Sequence, residues 1–184
     1  MIELPAVFTS SQAAAAGVSD RQLAKWRTND EITVVARGIY LRHQIEADLD
    51  LLEIAIRAPD ATLCLTSALA RHGLVDDIPQ AIDAALPRTQ RQPRTVAPTR
   101  WHRFDTATFD VDRTTIDIGA ETTIGLYGPR RSIIDAFRLR HLSTATTKLL
   151  QHFAAGLSFA GHNQATSSTS PEHSRLLNGR SAKR

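Results

Sequence analysis

Residues 9–41 read TSSQAAAAGVSDRQLAKWRTNDEITVVARGIYL, and the order of helix and strand signals in this stretch decides the fold. Thr9-Ser10-Ser11-Gln12 is a capping box, in which the Thr hydroxyl accepts a helical amide and the Gln side chain reaches back. It predicts a short alanine-rich helix over residues 10–16, ended by Gly17. Ser19-Asp20-Arg21-Gln22 is a second capping box and predicts a second helix. Two capped helices joined by a short turn containing Gly are typical of a helix-turn-helix.

Two runs rich in β-branched residues follow, at residues 32–35 and 39–41. Ala36-Arg37-Gly38 joins them, and its Gly allows the positive φ that a tight loop requires. The two runs therefore predict a β-hairpin. Helix, turn, helix and hairpin in this order are typical of a winged helix, which we expect over residues 1–44.

The middle of the chain predicts a second unit of helices and short strands. Residues 46–58 carry apolar residues at helical spacing, with Pro59 as the stop, and residues 66–72 predict another helix. In the first of these helices the apolar face is expected to hold Leu49, Leu52 and Ile56, and the solvated face Glu46, Asp48, Asp50 and Glu53. Short β-like runs follow at residues 81–86, 99–103, 109–111, 115–118 and 124–127, and a basic loop flanked by prolines occupies residues 87–94.

A last helix is predicted from Pro129 to about Leu142, because Pro suits the first turn of a helix. Its spacing predicts a buried stripe of Ile133, Ile134 and Phe137, with Arg130, Arg131 and Arg138 outside that stripe.

The sequence thus predicts an α+β protein in three parts. An N-terminal winged helix-turn-helix is expected over residues 1–44 and a small α/β domain over residues 45–150. Residues 151–184 are rich in Ser and Thr and end in basic residues, and such a segment cannot bury a core. We expect this C-terminal tail to be disordered.

The composition limits the classes of function. The chain has 184 residues and a formal net charge of +3, with a pI of about 9.5. All but three of its 22 basic residues are arginines, which suit phosphate and guanine but also follow from a GC-rich genome. A single cysteine excludes an intrachain disulfide, and neither a signal peptide nor a transmembrane segment can be found. We expect a cytoplasmic protein without a membrane partner.

The second predicted helix carries the candidate DNA-binding residues. At about 100° per residue, Leu23 and Trp26 fall on one side of residues 20–27, and the opposite side carries basic and amide side chains. Ser19 lies at the positive end of this helix, where backbone amides can hold a phosphate. The candidate DNA contacts are Ser19, Arg21, Gln22, Lys25, Arg37 at the hairpin tip and Arg42 just after the hairpin. The alternative is that these charges are simply solvated.

The sequence carries no recognisable catalytic motif. The chain has no G-x-S-x-G, no P-loop and no G-x-G-x-x-G, and its histidines show no metal-binding spacing. Cys64 stands in an apolar run and is interpreted as a small core residue. We therefore expect no catalytic residue, no metal and no cofactor.

Several stretches resemble the AbiEi-type antitoxins of type IV toxin–antitoxin (abortive infection) systems. Residues 8–13, 17–19, 22–23 and 36–41 resemble their N-terminal domain, and residues 67–74 and 127–140 resemble their second domain. The resemblance implies a transcriptional repressor that binds inverted repeats of double-stranded DNA in its own promoter, as a homodimer, and counters a co-encoded nucleotidyltransferase-type toxin. Members of this group continue with further apolar helices where this chain has its Ser/Thr-rich tail.

An alternative function stays open on the sequence alone. The chain could be a non-catalytic protein-interaction module, or a truncated remnant of an antitoxin or of a nuclease-associated protein. A neighbouring nucleotidyltransferase-like gene would favour the antitoxin.

Overall fold

The computed structural model describes residues 4–43, 45–75 and 79–139 of the chain. The tail predicted over residues 151–184 and the predicted end of the last helix near Leu142 lie outside the described residues. Across the described ranges, no helix is both long enough and apolar enough to cross a membrane.

The N-terminal part combines two helices with a three-stranded antiparallel sheet. Strand β1 (Val7–Thr9) leads into helices α1 (Ser10–Ala15) and α2 (Asp20–Thr28), and the hairpin consists of β2 (Ile32–Ala36) and β3 (Ile39–Arg42). Strand β3 lies between β1 and β2. The predicted winged helix-turn-helix is thereby confirmed. Strand β1 was not predicted, because three residues are too few to show a periodic pattern.

Local signals account for the ends of both helices. At α1 the capping box is complete, since Thr9 Oγ1 accepts the Gln12 amide at 3.3 Å and Gln12 Oε1 accepts the Thr9 amide at 2.7 Å. Gly17 follows α1 with a φ of +79°, a conformation that glycine adopts without strain. At α2 the Ser19 hydroxyl accepts the Gln22 amide at 3.3 Å, which supplies the first half of the predicted second box.

A five-stranded mixed sheet with three helices forms the rest of the described chain. Its elements are α3 (Leu49–Arg57), β4 (Thr62–Leu63), α4 (Leu65–Arg71), β5 (Ile82–Pro87), β6 (Thr99–Phe104), β7 (Arg113–Asp117), β8 (Thr123–Tyr127) and α5 (Pro129–Arg138). The strand order is β6-β5-β4-β8-β7. Strand β5 is parallel to β6 and β4 is parallel to β8, whereas the other two pairs are antiparallel. The predicted α+β class is confirmed.

One predicted strand is wrong. Residues 109–111 lie in a turn that follows a 3-10 helix, Thr106–Thr108. Phe109 is nonetheless buried, and its ring meets the Tyr127 ring edge-on with centroids 6.0 Å apart. An apolar residue thus marks a core contact here, although its backbone belongs to a turn.

The predicted faces of α3 need two corrections. Leu49, expected inside, is 41% exposed, and Glu53, expected on the solvated face, is 2% exposed. Glu53 is buried because its carboxylate accepts hydrogen bonds from the amides of Val96 and Ala97 and from the Arg57 guanidinium.

The predicted buried stripe of α5 is also wrong for two of its three residues. Ile134 is 59% exposed and Phe137 is 44% exposed, whereas Ile133 is half-buried. Arg131, expected outside the stripe, keeps only 11% of its side chain exposed and pairs with the buried Asp135. Polar anchors rather than the apolar spacing therefore set which side of α5 faces the core.

One apolar core joins the two sheets. Val7, Ile39 and Leu41 of the N-terminal sheet belong to the same buried cluster as Leu52 and Ile54 of α3. Helix α3 also contacts both β2 and β8. The two units expected over residues 1–44 and 45–150 therefore share buried surface, and the division between them stays a prediction.

Candidate nucleic-acid interface

Helix α2 presents a polar face to solvent. Leu23 is 4% exposed and lies in a small cluster with residues of β1, α1 and β2, and Trp26 packs against the same cluster. Arg21, Gln22 and Lys25 are exposed. The structure therefore brings these three predicted residues together on one helix, in the arrangement that the helical period predicts.

The N-terminus of α2 lies next to that face. The Ser19 hydroxyl caps the helix, and Ser19 itself is exposed. Asp20 follows in the first turn, where a carboxylate stabilises the helix dipole but would repel a phosphate. At the other end of α2, the Asn29 side-chain amide donates to the Glu31 carboxylate at 2.9 Å, and Asp30 has a φ of +56°.

The two predicted arginines of the hairpin are separated. Arg37 is exposed at the tip, where Gly38 has a φ of +76° and its carbonyl accepts the Ser10 amide at 2.9 Å. Arg42 ends β3, and its guanidinium lies 3.4 Å from the Leu4 carbonyl oxygen. Because the tip precedes β3 and Arg42 ends it, the structure places them at opposite ends of one strand.

A groove beside the hairpin tip was not predicted. It has a volume of about 400 Å³ and is lined by residues of the tip, of α3 and of the loop before β6. Three arginines from these separate segments line it, and none of the described residues around it is acidic: Arg37, Arg57 and Arg94. Sequence spacing gives no signal for this groove, since only folding brings the three segments together.

The described residues offer little for catalysis. Cys64 is buried, as its interpretation as a core residue requires, and burial raises the pKa of its thiol, with Asp83 and Asp135 acting in the same direction. His102 Nε2 lies 2.9 Å from Asp83 Oδ1, and both side chains are buried. Among the described residues, no three His, Cys, Asp or Glu side chains are grouped so as to hold a metal ion.

Comparison with known proteins places the winged helix in a family of regulators. Residues 5–43 match a family model described as "Transcriptional regulator, AbiEi antitoxin". The predicted resemblance to AbiEi antitoxins is confirmed over those residues. They include every predicted DNA-contact residue, from Ser19 to Arg42.

One solved structure is similar to part of the chain. The RV2827C protein from Mycobacterium tuberculosis, whose crystal structure is known, matches at 20% sequence identity with a TM-score of 0.42. The match covers 55% of this chain and 41% of that one, so the chain spans less than half of that protein. No curated protein matches the sequence.

Proposed function

We propose that the protein is an antitoxin-like transcriptional repressor that binds double-stranded DNA in its own promoter and counters a co-encoded nucleotidyltransferase-type toxin. The observation that carries this proposal is the exposed face of α2 within a winged helix whose residues match AbiEi regulators. The roles of the named residues and the toxin rest on the proposal alone.

The chemistry of the α2 face favours DNA. Arginine forms a forked pair of hydrogen bonds with guanine, glutamine does so with adenine, and lysine binds phosphate. Arg21, Gln22 and Lys25 supply these three groups on one solvent-facing side, and Leu23 fixes the helix from the other side. Ser19 would add a phosphate contact at the helix N-terminus.

A single winged helix gives a small interface. One module of this size buries too little surface for high specificity, and we infer that a homodimer binds two half-sites of an inverted repeat. Each protomer would place its α2 in the major groove, with Arg37 and Arg42 on the backbone or in the minor groove.

Binding of the full chain to a labelled duplex from upstream of its gene tests the proposal, by fluorescence anisotropy across a salt series. Arg21→Ala/Lys25→Ala should weaken binding by about 1–3 kcal/mol and flatten the dependence of log K on log salt. The matched control is Arg130→Ala/Arg138→Ala, which removes two exposed charges of α5 and should bind like the wild type. Unchanged affinity and salt slope in the α2 variant would contradict the assigned surface.

The remaining parts of the proposal have separate readouts. A repressor should lower expression from its own promoter, and co-expression should restore growth of cells that produce the neighbouring nucleotidyltransferase-like protein. We expect no cleavage when Mg²⁺ is added to the protein and its duplex. Cleavage by the purified chain would refute the assignment of a non-catalytic role.

A further inference from the structure

The segment between β5 and β6, residues 88–98, forms a basic loop that we name the arginine loop. It contains three arginines and no acidic residue. The three side chains are exposed, and none is ion-paired with an acidic side chain of the described residues: Arg88, Arg91 and Arg94. The winged-helix function proposed above leaves this concentration of positive charge without a role.

The start of the arginine loop is fixed to the sheet. The guanidinium of Arg103, on the adjacent strand β6, donates to the backbone carbonyls of Arg88 and Gln90. The side-chain amide of Gln90 donates to the Asp60 carboxylate. The loop therefore holds its arginines in a defined place, which lowers the entropy lost when they bind a ligand.

The far end of the arginine loop is fixed by the buried Glu53. Its carboxylate accepts the amides of Val96 at 2.8 Å and of Ala97 at 2.9 Å. The same carboxylate accepts the Arg57 guanidinium at 2.7 Å, and Arg57 reaches the Arg37 carbonyl at 3.4 Å. A chain of hydrogen bonds thus runs from the arginine loop through α3 to the hairpin tip.

The groove of about 400 Å³ lies where these segments meet, with Arg37, Arg57 and Arg94 along it. Positive side chains from the hairpin and from the arginine loop consequently border one surface. Forked guanidinium groups suit phosphate oxygens, and duplex DNA presents a regular row of phosphates on each strand.

We propose that the arginine loop binds the phosphate backbone of duplex DNA next to the hairpin tip, which extends the DNA contact from the winged helix onto the second unit. This inference rests on the proposed function. Arg91 and Arg94 contact phosphates and carry no base specificity, so they lengthen the bound site without changing the sequence that α2 recognises.

The test compares the full-length wild type with Arg91→Ala/Arg94→Ala on the upstream duplex and on an unrelated duplex of equal length. The loop variant should reduce the salt slope by about 0.9 for each phosphate that it no longer neutralises, and it should weaken binding to both duplexes by the same factor. A hydroxyl-radical footprint should lose protection at its flanks and keep it at the centre. Circular dichroism confirms that the variant is folded.

The controls separate this inference from the proposed function. Arg130→Ala/Arg138→Ala removes the same charge from α5 and should keep the wild-type slope and footprint. If Arg21→Ala/Lys25→Ala weakens binding but the loop variant keeps the wild-type slope, only the inference about the loop is overturned. An equal loss of slope in the α5 control also overturns it, because net charge alone would then explain the effect. If the wild type binds neither duplex, both proposals fail.

Discussion

The guanidinium of Arg131 lies 3.7 Å from the centroid of the Tyr127 ring. It also donates to the backbone carbonyls of Thr108 and Phe109, at 2.7 and 3.1 Å, and to the Asp135 carboxylate at 3.2 Å. Burial raises the pKa of the Tyr127 phenol, so the ring under the cation stays neutral. This arginine is one of the many in the composition, and its contacts are all internal to the described fold.

Replacement of Arg131 should therefore cost stability. Arg131→Ala leaves Asp135 and two carbonyls with fewer partners in a buried site, and we expect a loss of about 3 kcal/mol in the free energy of unfolding. Arg138 pairs with the same Asp135 but is 72% exposed, so Arg138→Ala should change that free energy by less than about 0.5 kcal/mol. Urea unfolding of the three proteins measures both values. Equal losses in the two variants would show that Arg131 acts as an ordinary surface charge.

At the scale of single elements, Ser19 has a structural and a proposed functional role that can be separated. Ser19→Ala removes the cap of α2 and should cost about 1 kcal/mol of stability. Ser19→Asp and Ser19→Asn both retain a capping oxygen and should keep the wild-type stability. Only the Asp variant places a negative charge where a phosphate is expected, so it alone should bind the upstream duplex more weakly.

Unfolding midpoints and DNA affinities of these three variants decide between the roles. If the Asp variant binds DNA as tightly as the Asn variant, the N-terminus of α2 does not face a phosphate. If Ser19→Ala keeps the wild-type midpoint, the side-chain cap contributes little to the stability of the short helix.

The elements differ in how far sequence could predict them. The ends of α1 and the hairpin depend on neighbours in the chain, so Thr9, Gly17 and Gly38 were sufficient signals. The inner side of α5 and the burial of Glu53 depend on donors and acceptors far away in sequence, and helical spacing alone predicts the wrong face for both. Short segments carry even less information, since two residues form β4.

The candidate site divides along the same physical line. The polar face of α2 follows from the helical period once Leu23 and Trp26 are assigned to the core. The groove at the hairpin tip follows from tertiary contacts between three segments, which no periodic pattern encodes. The basic loop was visible as composition, but its position beside Arg37 was not.

At the scale of the whole molecule, Glu53 connects the parts that the proposed DNA surface requires. Burial raises the pKa of this carboxyl, but the amides of Ala97 and Val96 and the Arg57 guanidinium outweigh burial and lower the pKa below its ordinary value of 4.5. The ionised form is therefore favoured by folding. The unfolded chain takes up a proton at this group first as the pH falls.

The sign of the pH dependence follows. The stabilisation from Glu53 is fully present above its unfolded pKa, near 4.5, and is lost as the pH falls through the lower folded value. Glu53→Gln removes the titration and leaves an amide group facing the Val96 and Ala97 donors, which should cost about 1–3 kcal/mol at pH 7. The stability difference between wild type and variant should then shrink progressively below about pH 4.5.

Urea unfolding of both proteins from neutral pH down to about pH 3 measures this difference. Asp50→Asn is the matched control, because Asp50 lies exposed on the same helix, and its difference from the wild type should stay small throughout. A difference between wild type and Glu53→Gln that does not change with pH would mean that the carboxylate is not ionised by its contacts. Since this carboxylate links the arginine loop to α3, the variant should also release the loop, and protection of the Val96 and Ala97 amides from hydrogen exchange should fall.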